Sequence, residues 1–253
     1  MNQPEFHDHF SGIANEYARY RPRYPSSLFD YLASIVSEHD LAWDCATGNG
    51  QAAVALAKHF KQVIATDAST EQITNAEPDS RVQYKIAAAE TSGLDADSTD
   101  LITVAQALHW LDLPSFYKEA HRVLKPTGIL AVWAYGKMKF DIPEIRSVLG
   151  HFYYDTIGPY WPPERNHVEE GYLTLEFPFD EIETPVFTIE AAMTLEELIG
   201  YIRTWSATQC YQKEQGKDPI PGLAREIELV WDDPELPITV YWPITLRVGH
   251  VKG

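Results

Sequence analysis

Basic residues are scarce in this chain, which carries 20 Lys and Arg residues against 37 Asp and Glu residues. The formal net charge is −17 at pH 7. Binding to nucleic-acid phosphates depends on accumulated positive charge, so this balance argues against a nucleic-acid partner. A small-molecule substrate is the favoured partner.

Cysteine and long apolar runs are equally scarce. Cys45 and Cys210 are the only cysteines, so no disulfide framework is expected and a reducing compartment fits. No apolar run approaches the ~20 residues that span a bilayer, and the first nine residues lack the basic-then-apolar pattern of a secretory signal. We therefore expect a soluble cytoplasmic protein, monomeric or homodimeric, with no membrane partner and no metal site.

A glycine turn between a predicted strand and a predicted helix is the most informative stretch. Apolar residues from Leu41 predict a strand that reaches Asp44, Gly48 and Gly50 predict a tight turn, and a helix is predicted from Gln51. Glycine in such a turn lets a ligand approach the bare N–H groups of a helix N-terminus. The stretch therefore predicts a ligand-binding turn.

A second predicted strand, residues 62–66, ends at Asp67. In a doubly wound α/β sheet this acid lies beside the first glycine turn, where it can accept both hydroxyls of a ribose. Dinucleotides and S-adenosylmethionine both satisfy this pattern. The third glycine of the dinucleotide fingerprint is replaced by Ala53, and Asp44 would repel a pyrophosphate but attract an ammonium and a sulfonium.

This order of acid, turn and second acid resembles the first two motifs of class I S-adenosylmethionine-dependent methyltransferases. Their acid-x-Gly-x-Gly-x-Gly motif corresponds to residues 44–50, with Ala46 in place of the first glycine. The resemblance implies a Rossmann-like, doubly wound sheet of seven mostly parallel strands with an antiparallel last strand and a small cap between strands five and six. It implies S-adenosylmethionine as cofactor, in contact with Asp44, Ala46, Thr47, Gly48, Gly50, Gln51, Asp67 and Ala68.

Two further strand ends extend the resemblance. A third strand is predicted over residues 82–87, and the resemblance implies that Ala89 and Glu90 after it meet the adenine. A fourth, apolar strand over residues 100–104 is followed by Gln106 and Ala107, at the sheet edge where ligands bind. Gln106 and Ala107 would face the methionine part of the cofactor.

The residues that follow Ala107 point to the methyl acceptor. The run Gln106-Ala107-Leu108-His109-Trp110 resembles the trans-aconitate and ubiquinone-type small-molecule methyltransferases, in which His109 and Trp110 would face the methyl group and its acceptor. A purely structural histidine is an equal alternative for His109.

The N-terminal residues 1–25 resemble a segment that folds over the cofactor in the same families. On that resemblance Tyr20 and Arg21 hold the methionine carboxylate, for which the arginine fork is suited. A solvated cluster of charges is the alternative.

A single methyltransferase domain is expected over residues 1–253, with cap or substrate-side insertions at 140–185 and 200–222. The second insertion begins with a run that resembles a lid segment of the family, so Tyr201, Arg203 and Trp205 are candidate contacts to the acceptor. In the last predicted strand, residues 239–246, Pro243 predicts a bulge or an interrupted ladder.

The predicted function is methyl transfer from S-adenosylmethionine to a small molecule, with a carboxylate of an organic acid as one candidate acceptor. A carboxylate is already a nucleophile, whereas a hydroxyl or amine needs a base, for which His109 is the candidate. The alternatives are a non-catalytic S-adenosylmethionine-binding protein and an NAD-dependent oxidoreductase.

Overall fold

The structure is a computed structural model that describes residues 20–251. The chain divides into two compact units. The sheet unit comprises Pro22–Lys139, Pro163–Ala191 and the residues from Val240 onward. The helical unit comprises the residues up to Arg21, Phe140–Pro162 and Ala192–Thr239. Of the predicted N-terminal segment 1–25, residues 1–19 lie outside the described part of the chain.

The sheet unit is built on one mixed sheet in the order β3-β2-β1-β4-β5-β8-β6, with β7 also paired to β8. Strands β1 to β5 pair in parallel, and β8 runs antiparallel to β5 and β6. The predicted fold class, mostly parallel with an antiparallel last strand, is confirmed. The strands are β1 Leu41–Cys45, β2 Gln62–Asp67, β3 Val82–Ile86, β4 Thr99–Ala105, β5 Leu124–Tyr135, β6 Asp180–Ile182, β7 Phe187–Met193 and β8 Ile238–His250.

The sheet departs from the predicted seven strands because eight are present in the described part of the chain. The predicted sixth strand, residues 186–189, corresponds to β7, and the short polar β6 is additional. β6 has no apolar pattern to reveal it. It is held to β8 by a bidentate ion pair between Arg247 and Glu181, with both N···O distances 2.9 Å.

Helices accompany the strands in the sheet unit and dominate the helical unit. The capping box predicted by Thr194 and Glu197 is present at the start of one of them, since Thr194 accepts from the Glu197 N–H and Glu197 accepts from the Thr194 N–H. The sheet unit contains α1 Ser26–Ser34, α2 Gln51–Leu56, α3 Thr70–Thr74, α4 Leu113–Val123 and α6 Arg165–Glu169; the helical unit contains α5 Pro143–His151, α7 Leu195–Arg203, α8 Ser206–Gln215 and α9 Ile220–Glu228.

The central strands are buried on both faces, as their apolar composition predicts. Leu101, Ile102 and Val104 of β4 are completely inaccessible to solvent. Together with β5 they form the middle of the core, so the carboxyl ends of β1 and β4 are held in fixed positions beside each other.

The ladder of β8 is interrupted at Pro243, as its sequence predicts. Regular pairing with β5 ends at Tyr135 and Ile244, and the next pair, Lys139 with Tyr241, is an isolated bridge shifted by one residue. Proline has no N–H to donate, so the strand passes this point without a ladder bond from it.

The predicted insertions do not coincide with the two units. Of the range 140–185, only the part up to Pro162 belongs to the helical unit, whereas the range 200–222 lies wholly within it. The residues from Pro163 join the sheet unit because α6 and the turn after it pack against β5 and the end of β4. No helix within residues 20–251 combines the length and the apolar character needed to cross a bilayer.

Candidate functional site

The side chain of Asp44, on β1, is the centre of the turn that follows this strand. It is completely buried, and its carboxylate accepts hydrogen bonds from the hydroxyls of Thr103 on β4 (2.7 Å) and Thr47 in the turn (2.5 Å). The backbone N–H of Ala53, at the start of α2, also donates to it. Burial raises the pKa of Asp44 to about 6, against the lowering effect of these hydrogen bonds. One carboxylate thus joins β1, β4, the turn and α2.

The turn itself is left-handed at three positions. Ala46, Gly48 and Gly50 have φ angles of +54°, +56° and +82°. Ala46 adopts a conformation that favours glycine, at a cost of roughly 1–2 kcal/mol for a residue with a Cβ. The Thr47 N–H donates to the carbonyl of Thr66 on β2 at 2.9 Å, which fixes the turn to the neighbouring strand.

The two glycines of the turn face different surroundings. Within the described residues, a Cβ on Gly48 would have the end of the Gln72 side chain as its nearest neighbour, at 3.9 Å, so none of them crowds Gly48. A Cβ on Gly50 would lie 2.1 Å from the hydroxyl of Tyr84. Tyr84 itself donates to the carbonyl of Glu77 at 2.5 Å. Tyr84 was not predicted, since its place in β3 marks it only as an ordinary strand residue.

Asp67 lies beside the turn, where the strand order predicts it. Its two carboxylate oxygens accept the N–H groups of Gly48 and Ser69, each at 2.9 Å. A carboxylate can accept further bonds from hydroxyl groups beyond these two. The proposed ribose contact of Asp67 stays a prediction, and so does the contact of the exposed Ala68.

Other predicted cofactor residues are engaged within the protein. The Gln51 amide accepts from the Tyr24 N–H (3.2 Å) and donates to the Pro22 carbonyl (3.3 Å). Glu90 accepts from the N–H of Asp112, at the start of α4, at 3.3 Å, and Ala89 is buried. The cofactor contact of Gln51 and the adenine contacts of Ala89 and Glu90 stay predictions.

The amide of Gln106 does not point freely into the site. Its Nε2 donates to the Tyr135 carbonyl at 3.0 Å and its Oε1 accepts from the Tyr135 N–H at 2.9 Å. The side chain thereby continues the pairing of β4 with β5 beyond the last ladder bond. Gln106 has a φ angle of +58°, so the backbone turns sharply here and starts the short 3-10 helix Leu108–Trp110 after Ala107.

His109 sits in this 3-10 helix against two aromatic rings. Its ring centroid lies 4.6 Å from that of Trp110, and its Nδ1 lies 2.9 Å from the hydroxyl of Tyr172. Burial, with smaller contributions from the charges of Arg165 and His167, lowers the pKa of His109 to about 3. The imidazole is therefore neutral over the physiological pH range, and Tyr172 is a partner that the sequence did not reveal.

The candidate acceptor residues of the helical unit contact other side chains of the same unit. Arg203 forms an ion pair with Asp218 at 2.8 Å, which leaves less of its charge for a substrate carboxylate than the sequence suggests. Trp205 is buried among other rings of the same unit, 5.8 Å between centroids from Tyr201 and 5.5 Å from Tyr153.

Tyr20 and Arg21 also pack within the helical unit. The Arg21 guanidinium lies 5.3 Å from the ring centroid of Tyr201 and donates to the Thr204 carbonyl at 3.4 Å. The Tyr20 ring lies so close to Gly200 that a Cβ there would be 2.6 Å from it. The predicted roles of these residues toward the methionine carboxylate and the acceptor stay predictions.

Comparison with known proteins agrees with this geometry. Residues 43–132 match the family described as a methyltransferase domain. A protein of Dictyostelium discoideum named as a methyltransferase is 40% identical over 222 residues, covering 87% of this chain and 84% of that protein. A protein of Saccharomyces cerevisiae named as an S-adenosylmethionine-dependent methyltransferase is 24% identical, covering 80% of this chain and 82% of that protein.

A solved structure is similar over almost the whole chain. It is described as a type II methyltransferase from Anaeromyxobacter dehalogenans, with 41% identity and a TM-score of 0.86. The similarity covers 91% of this chain and 98% of that one. The similarity therefore extends beyond the residues that form the sheet.

Replacement of Gly50 by alanine tests the close packing of the turn. Gly93 has a similar φ angle, +71°, and no described residue would lie within 4 Å of a Cβ there, so Gly93→Ala measures the left-handed strain alone, about 1–2 kcal/mol. We expect Gly50→Ala to lower the free energy of unfolding, measured in urea, by a further 1–3 kcal/mol, roughly what overpacking costs. In a Tyr84→Ala background this excess should vanish. Equal losses for the two glycines would contradict the contact.

Proposed function

Because the chain belongs to the class I S-adenosylmethionine-dependent methyltransferases, we propose that it methylates a small organic acid at a carboxylate oxygen. The family uses S-adenosylmethionine, so the NAD-dependent oxidoreductase and the non-catalytic alternatives are set aside. The acceptor class is the part that this proposal adds. We also propose that the protein acts in the cytoplasm, as a monomer or homodimer, without a nucleic-acid partner.

The residues around the glycine turn suit this cofactor. No described residue crowds Gly48, Asp67 accepts the Gly48 N–H, and the carboxylate of Asp44 is hydrogen-bonded to Thr47 in the turn. When bound, the cofactor supplies an activated methyl group on a sulfonium. We propose that Asp67 accepts the ribose hydroxyls and that the negative charge of Asp44 favours the positively charged groups of the cofactor.

The observation that carries the choice of acceptor is the state of His109. A general base works best when its pKa lies near the operating pH, and that of His109 is lowered to about 3. The neighbouring Tyr172 is no better, since burial raises its pKa. A carboxylate acceptor needs no base, only alignment with the methyl group and exclusion of water.

The charges near His109 also favour an anionic acceptor. The net charge of the whole chain is −17, but the positive charge of Arg165, on α6, acts on His109. A local field of this kind can attract an anion to a pocket despite an acidic surface. Arg165 is therefore a further candidate for steering the acid toward the site.

The acceptor proposal is tested by measuring S-adenosylhomocysteine formation with a set of small carboxylic acids and with amines and phenols of similar shape. We expect turnover with carboxylic acids alone, at rates that stay flat between pH 7 and 9 at saturating S-adenosylmethionine because neither His109, Asp44 nor the acceptor titrates there. His109→Gln keeps an N–H donor and should lose no more than about tenfold in kcat, well short of the 10²–10⁴-fold typical of a lost base. His121→Gln is the control. Turnover of a phenol with a pH-dependent rate would contradict the proposal.

The ribose contact is tested by Asp67→Ala and calorimetric titration with S-adenosylhomocysteine. Loss of two hydrogen bonds to a charged group, about 1.5–3 kcal/mol each, should weaken binding at least 100-fold. Glu71→Ala removes an equal charge from an exposed position four residues away and should change affinity little. Because Asp67 also accepts two backbone N–H groups, the circular dichroism of the variant is measured in parallel. Near-unchanged affinity in a folded variant removes Asp67 from this role.

A further inference from the structure

Tyr172 occupies a backbone conformation that requires an explanation. It follows Gly171, and the two residues have φ angles of +61° and +64°. A bulky side chain in this region costs about 1–3 kcal/mol and persists only where the surroundings impose it. The Tyr172 side chain is completely buried. A Cβ on Gly171 would lie 2.7 Å from the Thr245 hydroxyl, so the chain passes close to β8 here.

The backbone of Tyr172 is fixed from two sides. Its N–H donates to the carbonyl of His167 at 2.7 Å, and its carbonyl accepts from Nη1 of Arg247 at 2.7 Å. Arg247 is itself held by the bidentate ion pair with Glu181 and lies 4.6 Å from the ring centroid of Phe177. These contacts set the direction in which the phenol projects.

The phenol oxygen of Tyr172 ends at the 3-10 helix after β4. It lies 2.9 Å from Nδ1 of His109, and the backbone N–H groups of Leu108 and His109 also interact with it. A hydroxyl oxygen that accepts from N–H groups directs its one hydrogen to the remaining partner. The remaining partner at this oxygen is Nδ1 of His109, so the arrangement favours a neutral ring in which Nδ1 is the unprotonated nitrogen.

From this geometry we propose that Tyr172 is a positioning residue that locks His109 in the tautomer with hydrogen on Nε2. His109 then presents a hydrogen-bond donor to the acceptor, not a base. A donor suits an oxygen that already carries negative charge, which deepens the proposed function by excluding acceptors that must first lose a proton. The tautomer rests on the contacts above, and only the identity of the group that receives the hydrogen bond rests on the proposed function.

The tautomer is measured by two-bond ¹H–¹⁵N correlation spectra of protein labelled with ¹⁵N-histidine, with no cofactor or substrate added. The signals of His109 are assigned by their loss in His109→Gln. We expect the Nε2–H pattern to stay unchanged between pH 5 and 8. The charged or titratable groups that face the ring are Arg165, His167 and Tyr172. An Nδ1–H pattern in the wild-type protein would overturn the proposal without any variant.

Tyr172→Phe removes the hydroxyl and keeps the ring. We expect His109 to show a mixture of tautomers, because neither ring nitrogen then has a preferred partner at this position, and to remain neutral above pH 5, since burial still lowers its pKa. The matched control is Tyr117→Phe, which removes another buried hydroxyl of the sheet unit that donates to the Glu176 carbonyl at 2.6 Å and does not touch His109. An unchanged His109 spectrum in a folded Tyr172→Phe protein would also overturn the proposal.

The kinetic measurement separates this inference from the proposed function. With a carboxylic acid that the wild-type protein methylates, we expect Tyr172→Phe to lower kcat about tenfold and to leave cofactor affinity unchanged. If the spectra show the Nε2–H tautomer but no carboxylic acid is methylated, the proposed function fails and the tautomer lock stands. If carboxylic acids are methylated but His109 carries its hydrogen on Nδ1, the lock alone fails.

Discussion

One buried carboxylate holds the ligand-facing end of the sheet together. Asp44 accepts hydrogen bonds from Thr103 on β4, Thr47 in the turn and Ala53 at the start of α2. A buried charge is tolerated only when it is fully hydrogen-bonded, so the turn, both strands and the helix must keep their relative positions. The raised pKa of Asp44 indicates that these bonds only partly offset the loss of solvent. A positively charged ligand nearby would complete the compensation.

Each side of the proposed site has a tyrosine packed against one of its motif residues. On the cofactor side, Tyr84 fills the space beside Gly50, and the turn presents the Gly48 N–H to Asp67. On the acceptor side, Tyr172 lies behind His109 and restrains its ring. In both places a tyrosine outside the recognisable motif supports a residue within it.

Local pattern predicted most of the fold but not the long-range pairing of polar groups. Apolar runs located the central strands, and the order of the strands placed Asp67 beside the turn. The amide of Gln106 is hydrogen-bonded to the Tyr135 backbone, and Arg203 forms an ion pair with Asp218. Both partners lie outside the local sequence pattern from which the ligand contacts were predicted. Tyr172 and His109 are 63 residues apart, and no spacing rule connects them. Side chains that resemble ligand contacts in a sequence are thus often structural partners.

The most direct test of the account is the pH dependence of S-adenosylmethionine binding, measured by calorimetry between pH 7.5 and 5. If ionised Asp44 holds the positive charge of the cofactor, its pKa of about 6 in the free protein predicts that affinity falls below pH 6, approaching tenfold per pH unit. Asp44→Asn, which cannot ionise, should bind more weakly at pH 7.5 and show no such fall. A wild-type affinity that stays constant across this range would contradict the central role of this carboxylate.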